Sequence, residues 1–496
     1  MALRENPVAL MPLSKLLPQQ AGVEDIAIGG LQLDSRQLQA GDAFIALPGD
    51  VHDGRDYLGA AAAAGASVIL AEVGVSSSQR ASAGAVPVVE LAGLAERLGE
   101  ITDIFFAAPS EAMHLVGVTG TNGKTTTSRL LAQLLRAQGG HCGVIGTLGA
   151  TLGNEAADAS NTTPDVISLQ RQLAQWRDQS VEHAVLEVSS HSLVQGRVDG
   201  LSFNSAIFTN LTHDHLDYHG DMQSYGLAKS QLFLTPELQT AIINLDDPYA
   251  KTLMELLPAG VNLLRYSLRD PTAEVSADSI EFHHSGLEAR LTTPWGEGLL
   301  HSPLAGDFNL SNLMAAISAA CVAGVSLQAA LAAAPQLHGV AGRMEYVANG
   351  AELQLVVDYA HTPDALAQAL RALRAHTRGQ LICVFGCGGD RDRDKRPLMA
   401  EIATECADRV IVTSDNPRGE DPLAIIADIT AGASGPVEVE SDRAAAIALA
   451  VRSAAPGDCV LVAGKGHEGY QQIGDQKLPF SDVAQLRLAL AAEGSS

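Results

Sequence analysis

The segment VTGTNGKTT (residues 118–126) has the residue types that bind a nucleoside triphosphate. An apolar strand is predicted before it, at residues 115–119, and a helix after it, at about residues 125–137. Backbone N–H groups and the helix N-terminus can then contact phosphates. Lys124 would neutralise β/γ-phosphate charge, and the Thr125 hydroxyl would reach Mg²⁺.

The segment departs from the strict Walker A pattern, because Val118 occupies the position of its first glycine. A plain turn is therefore the alternative, but the strand before and the helix after favour a phosphate loop. ATP is the predicted ligand. The loop residues expected to bind it are Gly120, Thr121, Asn122, Gly123, Lys124, Thr125 and Thr126.

Two further segments carry candidate metal ligands. Glu187 ends an apolar strand at about residues 184–188, and the carboxyl end of a sheet strand is where ligands bind. Taken alone, Glu187 could equally be a solvated strand-end charge. Residues 209–219, TNLTHDHLDYH, hold three histidines and two aspartates, a composition that suits zinc as well as magnesium. Together with the phosphate loop, a magnesium–nucleotide site is favoured.

These residues must be positioned by a large chain. Its 496 residues suggest about three domains. The formal net charge is −25, from 32 basic and 57 acidic residues, so the surface should repel nucleic acid. Anionic substrates would need local pockets of lysine and arginine.

The pattern of elements predicts an α/β fold in three domains. Residues 1–94 read as a small α/β unit, with strands at 43–47 and 67–71 and a helix at 57–64. Residues 95–339 read as a mostly parallel sheet around the phosphate loop, with further strands at 184–188, 206–209 and 241–244. Residues 340–496 alternate strands (353–358, 381–385, 410–413, 437–439, 459–463) with helices (397–406, 422–430, 443–453), a Rossmann-like layout.

Cysteine usage and hydropathy indicate a soluble cytoplasmic protein. The six cysteines show no zinc spacing, so Cys383 and Cys387 are expected to be buried thiols in a reducing compartment. The first twenty residues have no sustained apolar core, which argues against a signal peptide. No apolar run is long enough for a membrane span, so no membrane insertion is expected.

The TGTNGKTT form of the loop resembles that of Mur ligases and folylpolyglutamate synthases. In Mur ligases the histidine of the DHLD motif, here His215, and the equivalent of Glu187 contact magnesium. Lys229, in AKSQLF, resembles a lysine that is carbamylated in this family and helps to hold a second metal. Read locally, Lys229 would be a solvated helix lysine. A desolvated lysine has a depressed pKa, however, and its neutral amine can add CO₂.

The resemblance implies further nucleotide contacts. GDFNLSN (residues 306–312) resembles a segment near the adenine of ATP, and Arg343 in GRME would reach the phosphates when the third domain closes. The residues expected at the ATP site in this way are Asn309, Asn312, Arg343, Asp358 and His361. Each alone would be a cap or a turn, and their order along the chain supports the assignment.

DNPR (residues 415–418) resembles the amino-acid selectivity motif of the diaminopimelate-adding Mur ligases. Its arginine, here Arg418, pairs with the distal carboxylate that lysine lacks, since a guanidinium fork matches a carboxylate. Locally the motif would be a turn. The implied diaminopimelate contacts are Arg391, Asp415, Asn416, Pro417, Arg418, Gly464 and Glu468.

Contacts to the second substrate follow from the same resemblance. The positions that match uridine contacts are Leu33, Ser35, Asp50, Val51 and His52. The positions that match peptide and sugar contacts are Asn161, Thr162, Thr163, Ser189, Gln195 and Arg197. The arginines and lysines among all these candidates supply the local positive pockets that the acidic composition calls for.

The implied activity is ATP-dependent amide ligation in cell-wall synthesis, by a monomer. The side-chain carboxylate of D-glutamate in a UDP-linked muramoyl dipeptide would be phosphorylated and then attacked by meso-diaminopimelate. The alternatives are a lysine-adding ligase, which leaves Arg418 without a carboxylate partner, and a folylpolyglutamate synthase, which should lack the first domain and DNPR. A third is an ATP-dependent switch, which needs no constellation of Glu187, His215 and Lys229.

Overall fold

The computed structural model describes residues 10–20, 26–49, 52–153, 155–157, 162–283, 286–350 and 353–493. The chain folds into two compact units. The first comprises Met1–Leu115, His141–Asn204 and Thr235–Glu237; the second comprises Val116–Gly140, Ser205–Leu234 and Leu238–Ser496. The domain boundaries expected after residues 94 and 339 stay predictions.

The elements are numbered along the chain. The strands are β1 Met11–Pro12, β2 Ala27–Ile28, β3 Leu31–Gln32, β4 Ala43–Ala46, β5 Val68–Glu72, β6 Val88–Leu91, β7 His114–Thr119, β8 Cys142–Gly146, β9 Gly149–Leu152, β10 Glu155–Ala157, β11 His183–Glu187, β12 Ser205–Phe208, β13 Thr240–Asn244, β14 Asn262–Ser267, β15 Val275–His283, β16 Gly286–Thr293, β17 Gly296–Ser302, β18 Glu345–Gly350, β19 Leu353–Asp358, β20 Leu381–Phe385, β21 Arg409–Val412, β22 Glu438–Val439, β23 Cys459–Ala463, β24 Tyr470–Ile473 and β25 Gln476–Pro479.

The α-helices are α1 Leu13–Leu16, α2 Leu58–Ala63, α3 Ser77–Ser82, α4 Leu94–Phe106, α5 Lys124–Ala137, α6 Val166–Asp178, α7 Ser190–Val194, α8 Leu216–His219, α9 Met222–Ser230, α10 Ala250–Leu256, α11 Asp307–Val322, α12 Leu327–Ala333, α13 Pro363–His376, α14 Lys395–Cys406, α15 Pro422–Thr430, α16 Arg443–Ser453 and α17 Asp482–Glu493. Short 3₁₀ helices lie at Gly54–Tyr57, Pro109–Ala112, Gln231–Leu234 and Ala334–Gln336.

The first unit contains a parallel sheet in the order β3-β4-β5-β6. Alternate residues of β4 pack on opposite faces: Ile45 joins a cluster with Leu94 of α4, and Phe44 joins one with Leu58 of α2. Strands β10-β9-β8-β11 follow one another in a second sheet, with β8 and β11 parallel and the other pairs antiparallel. The small first sheet, covered on both faces, is the predicted N-terminal α/β arrangement.

In the second unit, strands run in the order β7-β12-β13-β14-β15-β16-β17. The pairs from β7 to β15 are parallel, and the last two pairs are antiparallel. Parallel neighbours end at the same edge of a sheet. The glycine-rich loop after β7 and the His/Asp segment after β12 therefore meet there.

The C-terminal part of the second unit has a sheet in the order β18-β19-β23-β20-β21-β22, parallel except for β18. Alternate residues of β23 pack on opposite faces of this sheet. Leu461 joins a core cluster with Leu370 of α13 and Met399 of α14, while Val462 joins one with Ile447 of α16. Helices on both faces of a parallel sheet make this the predicted Rossmann-like layout.

Every strand and helix expected from the sequence exists, with ends that differ by at most two residues. The antiparallel strands β15, β16 and β17 were not predicted, and neither was the hairpin β24–β25. β15 and β25 are largely exposed or half-buried and lack the long apolar runs of the parallel core. In the part of the chain that the structure describes, no helix has the length and hydropathy that a membrane crossing requires.

One ion pair in the C-terminal sheet region has no exposure to solvent. Arg443 begins α16 and donates from Nε and Nη2 to the two carboxylate oxygens of Asp482, at 2.8 and 2.7 Å. Both side chains are fully buried. The same guanidinium donates to the carbonyl oxygens of Ala463, at the end of β23, and Ser414, after β21. Arg443 therefore fixes the carboxyl ends of two strands.

Replacement of Arg443 by methionine should destabilise the protein by about 3–5 kcal/mol, because Asp482 would keep a buried charge without a partner. The free energy of unfolding, from urea denaturation followed by circular dichroism, measures the effect. The matched control is Arg452→Met, an exposed arginine of the same helix, which should change stability by less than about 0.5 kcal/mol. Equal stability of the two variants would contradict this role for Arg443.

Candidate active site

The glycine-rich loop is held by the segment that follows β12. The backbone N–H of Asn122 donates to Asn210 Oδ1 at 2.8 Å, and Thr209 Oγ1 donates to Asn122 O at 2.6 Å. Thr121 Oγ1 donates to Thr212 O at 3.2 Å and accepts from the Thr212 N–H at 3.0 Å. These side chains thus form hydrogen bonds with some of the backbone N–H and C=O groups of the loop, which keeps the loop in one conformation.

The loop packs closely against helix α11 where Gly123 meets Asn312. Gly123 caps the N-terminus of α5 in the left-handed region, with φ +85°. A Cβ atom at this position would overlap Asn312 Oδ1, which also accepts from Thr127 Oγ1 at 3.3 Å. Asn309, one turn earlier on α11, donates instead to Ala305 O at 2.8 Å.

Two lysines reach the same carbonyl oxygen of the loop. Lys124 Nζ donates to Gly120 O at 2.8 Å and to Thr121 O at 2.9 Å. Lys229 Nζ, from the last turn of α9, also donates to Gly120 O at 2.9 Å. Both predicted catalytic lysines therefore lie at the phosphate loop.

Lys229 does not have the environment of a surface lysine. Its side chain is buried and its Nζ lies 4.4 Å from the centroid of the Tyr225 ring. Burial, followed by the charge of Lys124, holds the pKa of Lys229 well below its usual range, and Asp214 only partly opposes this. A neutral amine in this position can add CO₂, as the predicted carbamylation requires.

Asp214 and His215 follow β12 at the same edge. His215 has φ +54° and its Nε2 lies 3.4 Å from Asp214 Oδ2. Burial lowers the pKa of His215 and outweighs the opposing charge of Asp214, so a neutral imidazole, the form that binds metals, is favoured. Burial raises the pKa of Asp214, but the surrounding charges of His361, His215, Lys395 and Lys124 outweigh it and leave that pKa lowered.

The predicted metal ligands fall in both units. Glu187 belongs to the first unit, whereas His215, Lys229 and Thr125 belong to the second. Within the described ranges, no group of three histidine, cysteine, aspartate or glutamate residues could hold a metal ion. The residues of the second unit fit Mg²⁺ only if Lys229 is carbamylated, because an ammonium repels a cation and a carbamate supplies hard oxygen ligands.

A cavity of about 380 Å³ lies beside the loop in the second unit. Three residues predicted to contact ATP line it: Thr126, Asn309 and Arg343. Leu304, Val340 and Tyr346 add apolar surface. A pocket of this size with an apolar wall and an adjacent phosphate loop suits an adenine nucleotide.

The residues predicted after β19 have mainly structural contacts. Asp358 is buried, and its two carboxylate oxygens accept from the Met344 and Ala360 N–H groups, at 2.7 and 2.8 Å. Burial raises the pKa of Asp358 despite the charge of Arg343. His361 Nδ1 lies 2.8 Å from Tyr359 O, and burial, reinforced by Lys395, lowers the pKa of His361 to about 4. Their predicted roles at ATP stay predictions.

The DNPR turn is part of a buried polar network. Asn416 donates from Nδ2 to Glu468 Oε2 at 2.8 Å, and its Oδ1 accepts from Lys465 Nζ at 3.0 Å. Lys465 Nζ also donates to Glu468 Oε2 at 2.9 Å and lies 3.5 Å from Asp415 Oδ1. The structure therefore brings DNPR and the GKGHE loop together, although they are about fifty positions apart in the sequence.

The two predicted substrate arginines flank one glycine. A Cβ atom at Gly388 would lie 2.8 Å from Arg418 Nη1 and 3.8 Å from Arg391 Cγ. Arg418 has φ +51° and donates from Nη1 to Gly389 O at 2.8 Å. Pro417 is buried beneath it, and Gly464 donates its N–H to Asp358 O at 3.1 Å. Arg391 Nη1 donates to Asp390 O at 2.9 Å, so Arg418 is the arginine whose guanidinium lies at Gly388. A guanidinium group can bind a carboxylate.

In the first unit, the predicted peptide and sugar contacts gather at the end of β11. Glu187 accepts from the N–H and Oγ1 of Thr147, at 3.1 and 3.0 Å. Thr163 Oγ1 donates to Glu187 O at 2.8 Å and accepts from the N–H of Ser189, the cap of α7. Arg197 Nη1 donates to Thr163 O at 2.8 Å.

The remaining first-unit candidates are less closely grouped. Gln195 accepts from the Arg197 guanidinium, and Thr162 lies 3.2 Å from Thr147, oxygen to oxygen. Leu33 packs against the core cluster of β4, Ser35 lies in a turn, and His52 lies in the segment just before the 3₁₀ helix Gly54–Tyr57. Three further predicted contacts, Asp50, Val51 and Asn161, lie outside the described residues.

Three family models match the chain. The Mur ligase family catalytic domain matches residues 27–105, the Mur ligase middle domain matches residues 118–320, and the glutamate ligase domain matches residues 342–466. A UDP-N-acetylmuramoyl-L-alanyl-D-glutamate–2,6-diaminopimelate ligase of Ectopseudomonas mendocina is 47% identical over 485 residues, which cover 97% of this chain and 98% of that protein.

The chain belongs to the Mur ligase family. A Coxiella burnetii protein of the same name is 46% identical, with 96% of this chain and 99% of that protein covered. A solved structure of a protein with this name matches with a TM-score of 0.72 and 39% identity, over 98% of this chain and 100% of that chain. The predicted family and α/β fold class are confirmed.

Three side chains of this Mur ligase were missed in reading the sequence. Lys465 lies within the GKGHE motif, Lys395 begins α14, and Arg443 begins α16. A lysine between two glycines was a usable signal for Lys465, since such a short loop can bury its side chain. No sequence signal distinguishes Lys395 or Arg443 from surface residues at a helix start.

Replacement of Gly123 by alanine should weaken ATP binding at least about tenfold, because a Cβ atom displaces Asn312 and strains the left-handed cap. Isothermal titration with ATP and Mg²⁺ measures the change. Gly139→Ala is the matched control: its φ is +84°, yet no atom lies within 4 Å of the added Cβ, so affinity should stay unchanged. Equal affinity in both variants would rule out the loop geometry as the cause.

Proposed function

We propose that this Mur ligase joins meso-2,6-diaminopimelate to the D-glutamate side-chain carboxylate of UDP-N-acetylmuramoyl-L-alanyl-D-glutamate, with conversion of ATP to ADP and phosphate, in peptidoglycan synthesis. The observation that carries the proposal is the position of Arg418 in the same turn as Asn416, which donates to Glu468, while the Arg418 guanidinium donates from Nη1 to Gly389 O. The guanidinium of Arg418 suits a distal carboxylate, while the carboxylate of Glu468 suits an ammonium. Diaminopimelate has both groups, and the names of the relatives agree.

The proposed reaction proceeds in two steps. The glutamate carboxylate attacks the γ-phosphorus of ATP, the bond to the β-phosphate oxygen breaks, and ADP leaves. The amine of diaminopimelate then attacks the acyl carbon, phosphate leaves and the amine loses a proton. Bound Mg²⁺ would neutralise charge on the phosphoryl oxygens, held by Thr125, Glu187, His215 and carbamylated Lys229.

The chain's own residues position the reactants and neutralise charge. Lys124, which reaches over the loop, is placed to move from the Gly120 and Thr121 carbonyl oxygens to the β/γ-phosphates. Arg343, whose guanidinium lies 4.1 Å from the Tyr359 ring centroid, lines the nucleotide cavity and can contact the phosphates. The exclusion of water preserves the acyl phosphate.

The alternatives have identifiable weaknesses. A lysine-adding ligase would have no carboxylate for Arg418 and Arg391. A folylpolyglutamate synthase is disfavoured by the near full-length match to diaminopimelate ligases and by the N-terminal family match at residues 27–105. A nucleotide switch without ligase chemistry would not need the buried Lys229 beside the loop. We also propose that the protein acts as a monomer in the cytoplasm, where ATP is available.

Phosphate release should require the UDP-muramoyl dipeptide, ATP, Mg²⁺ and meso-diaminopimelate, whereas L-lysine should give at most about one hundredth of that rate, because a site built for a carboxylate rejects an analogue that lacks it. A coupled phosphate assay with both amines makes the measurement. Phosphate release with lysine but not with diaminopimelate would show that lysine is the substrate. Release with neither amine would contradict the ligase assignment.

The discrimination should depend on Arg418. Arg418→Met should raise the KM for diaminopimelate at least about tenfold and reduce the preference over lysine, since a charge-assisted contact to the carboxylate is lost. Arg371→Met, an exposed arginine of α13, is the control and should preserve both values. Undiminished preference in the Arg418 variant would assign the selectivity to other residues.

Lys229 should be carbamylated. Protein equilibrated with ¹³C-bicarbonate should show a carbamate carbonyl resonance that is absent in Lys229→Gln, and that variant should lose at least about a hundredfold in kcat because charge stabilisation at the phosphates is lost. Lys251→Gln, an exposed lysine of α10, should retain both signal and rate. A wild-type spectrum with no carbamate signal would disprove the modification.

A further inference from the structure

Lys465 is a buried cation in the substrate region to which no role has been given. Its side chain is 0% exposed, in contrast to the 18% exposed side chain of Glu468. Its Nζ has three polar neighbours: Glu468 Oε2 at 2.9 Å, Asn416 Oδ1 at 3.0 Å and Asp415 Oδ1 at 3.5 Å. A lysine is seldom buried completely unless its ammonium is paired in this way.

The backbone explains why this lysine points inward. The GKGHE loop leaves the end of β23, where the Gly464 N–H donates to Asp358 O at 3.1 Å. The Glu468 N–H then donates to Lys465 O at 3.0 Å, which turns the chain back on itself. As a result Glu468 lies over the ammonium of Lys465, and the two side chains approach the DNPR turn together.

Asn416 connects the lysine to the selectivity motif. Its amide orientation is fixed at three points: Nδ2 donates to Glu468 Oε2, and Oδ1 accepts from both Lys465 Nζ and the Gln472 N–H, the latter at 2.8 Å. Glu468 Oε2 thus accepts two hydrogen bonds from within the protein. Over the described part of the chain, no hydrogen bond reaches Oε1.

The charged side chains around Lys465 include more acids than bases. Arg443 and Asp482 pair with each other, bidentately and fully buried. Lys465 then faces two carboxyl groups, those of Asp415 and Glu468. An ammonium group of a substrate at the more exposed Glu468 would balance the excess acid.

We infer that Lys465 is a positioning residue of the amino-acid site, which holds Asn416 and the Oε2 atom of Glu468 so that Oε1 receives the ammonium of the incoming amino acid. The inference rests on the proposed function. Lys465 acts through Glu468 and Asn416 and does not itself touch the substrate. The network also reaches Arg418 through the backbone: the Gln472 N–H donates to Asn416 Oδ1, and Gln472 O accepts from the Arg418 N–H at 3.1 Å.

Steady-state kinetics of the full-length protein test this. Lys465→Met should raise the KM for diaminopimelate at least about tenfold, because truncating one partner of a buried charge pair leaves the other misplaced. The KM for ATP should change less than about twofold, since the nucleotide cavity is formed by other residues. Lys465→Gln should lie between this variant and wild type, because its amide can still donate to Asn416 and Glu468.

Lys477→Met is the matched control. Lys477 lies on β25, is exposed and stacks 4.3 Å from the centroid of the same Tyr470 ring that Lys465 approaches at 5.6 Å. This substitution removes the same charge close by and should leave both KM values unchanged.

The outcomes separate the inference from the function on which it rests. If wild type is active and the KM for diaminopimelate stays within about twofold in the folded Lys465 variants, the inference is overturned and the function stands. A uniform fall in kcat with unchanged KM values would also overturn it, since that is the signature of lost folded protein. If Lys465→Met does not fold, Lys465→Gln decides, and an inactive wild type overturns function and inference together.

Discussion

The proposed nucleotide site depends on the crowding of two lysines at a single backbone oxygen. Lys124 and Lys229 both donate to Gly120 O, and one of them is fully buried. Two ammonium groups at this separation repel each other, and burial removes the water that would screen them. Loss of the proton from Lys229 removes this repulsion, and the neutral amine is also the form that reacts with CO₂. A carbamate would then turn a repulsive neighbour of Lys124 into an anionic partner and add hard oxygen ligands for Mg²⁺.

The end of strand β19 connects the nucleotide cavity to the amino-acid loop. The Asp358 carboxylate holds the Met344 N–H, next to the cavity residue Arg343, while the Asp358 carbonyl oxygen accepts from the Gly464 N–H. A stack runs in parallel: Arg343 lies on the Tyr359 ring, and the Tyr359 and His467 rings are 5.3 Å apart between centroids. A ligand that contacts Arg343 would therefore lie at one end of this stack, and the GKGHE loop lies at the other end.

The sequence predicted the parallel cores well because buried parallel strands are continuous apolar runs, as in β20 and β23, and because helices such as α15 begin with a recognisable aspartate–proline cap. It did not predict β16 and β17, whose residues alternate between buried and exposed and include polar side chains on the open face. The site residues that were recognised by resemblance belong to short sequence motifs, which can be identified without the structure. Lys465 and Arg443 were missed because burial and pairing are tertiary properties, and a lysine or arginine at a loop or helix start is usually solvated.

The overall charge of −25 poses a problem for an enzyme of anionic substrates, and the structure suggests how it is met. Arg443 and Lys465 are already paired with acids, whereas two other cations are restrained by neutral partners: Arg418 by the Gly389 carbonyl oxygen, and Lys124 by the Gly120 and Thr121 carbonyl oxygens. A restrained cation keeps its direction without losing entropy when a substrate arrives, so a few such groups can outweigh a larger number of distant acids. Distant surface charges are screened by salt, whereas contacts within a buried network are not. The acidic surface and the anionic substrates are therefore compatible because short-range, pre-organised charge decides binding at the site.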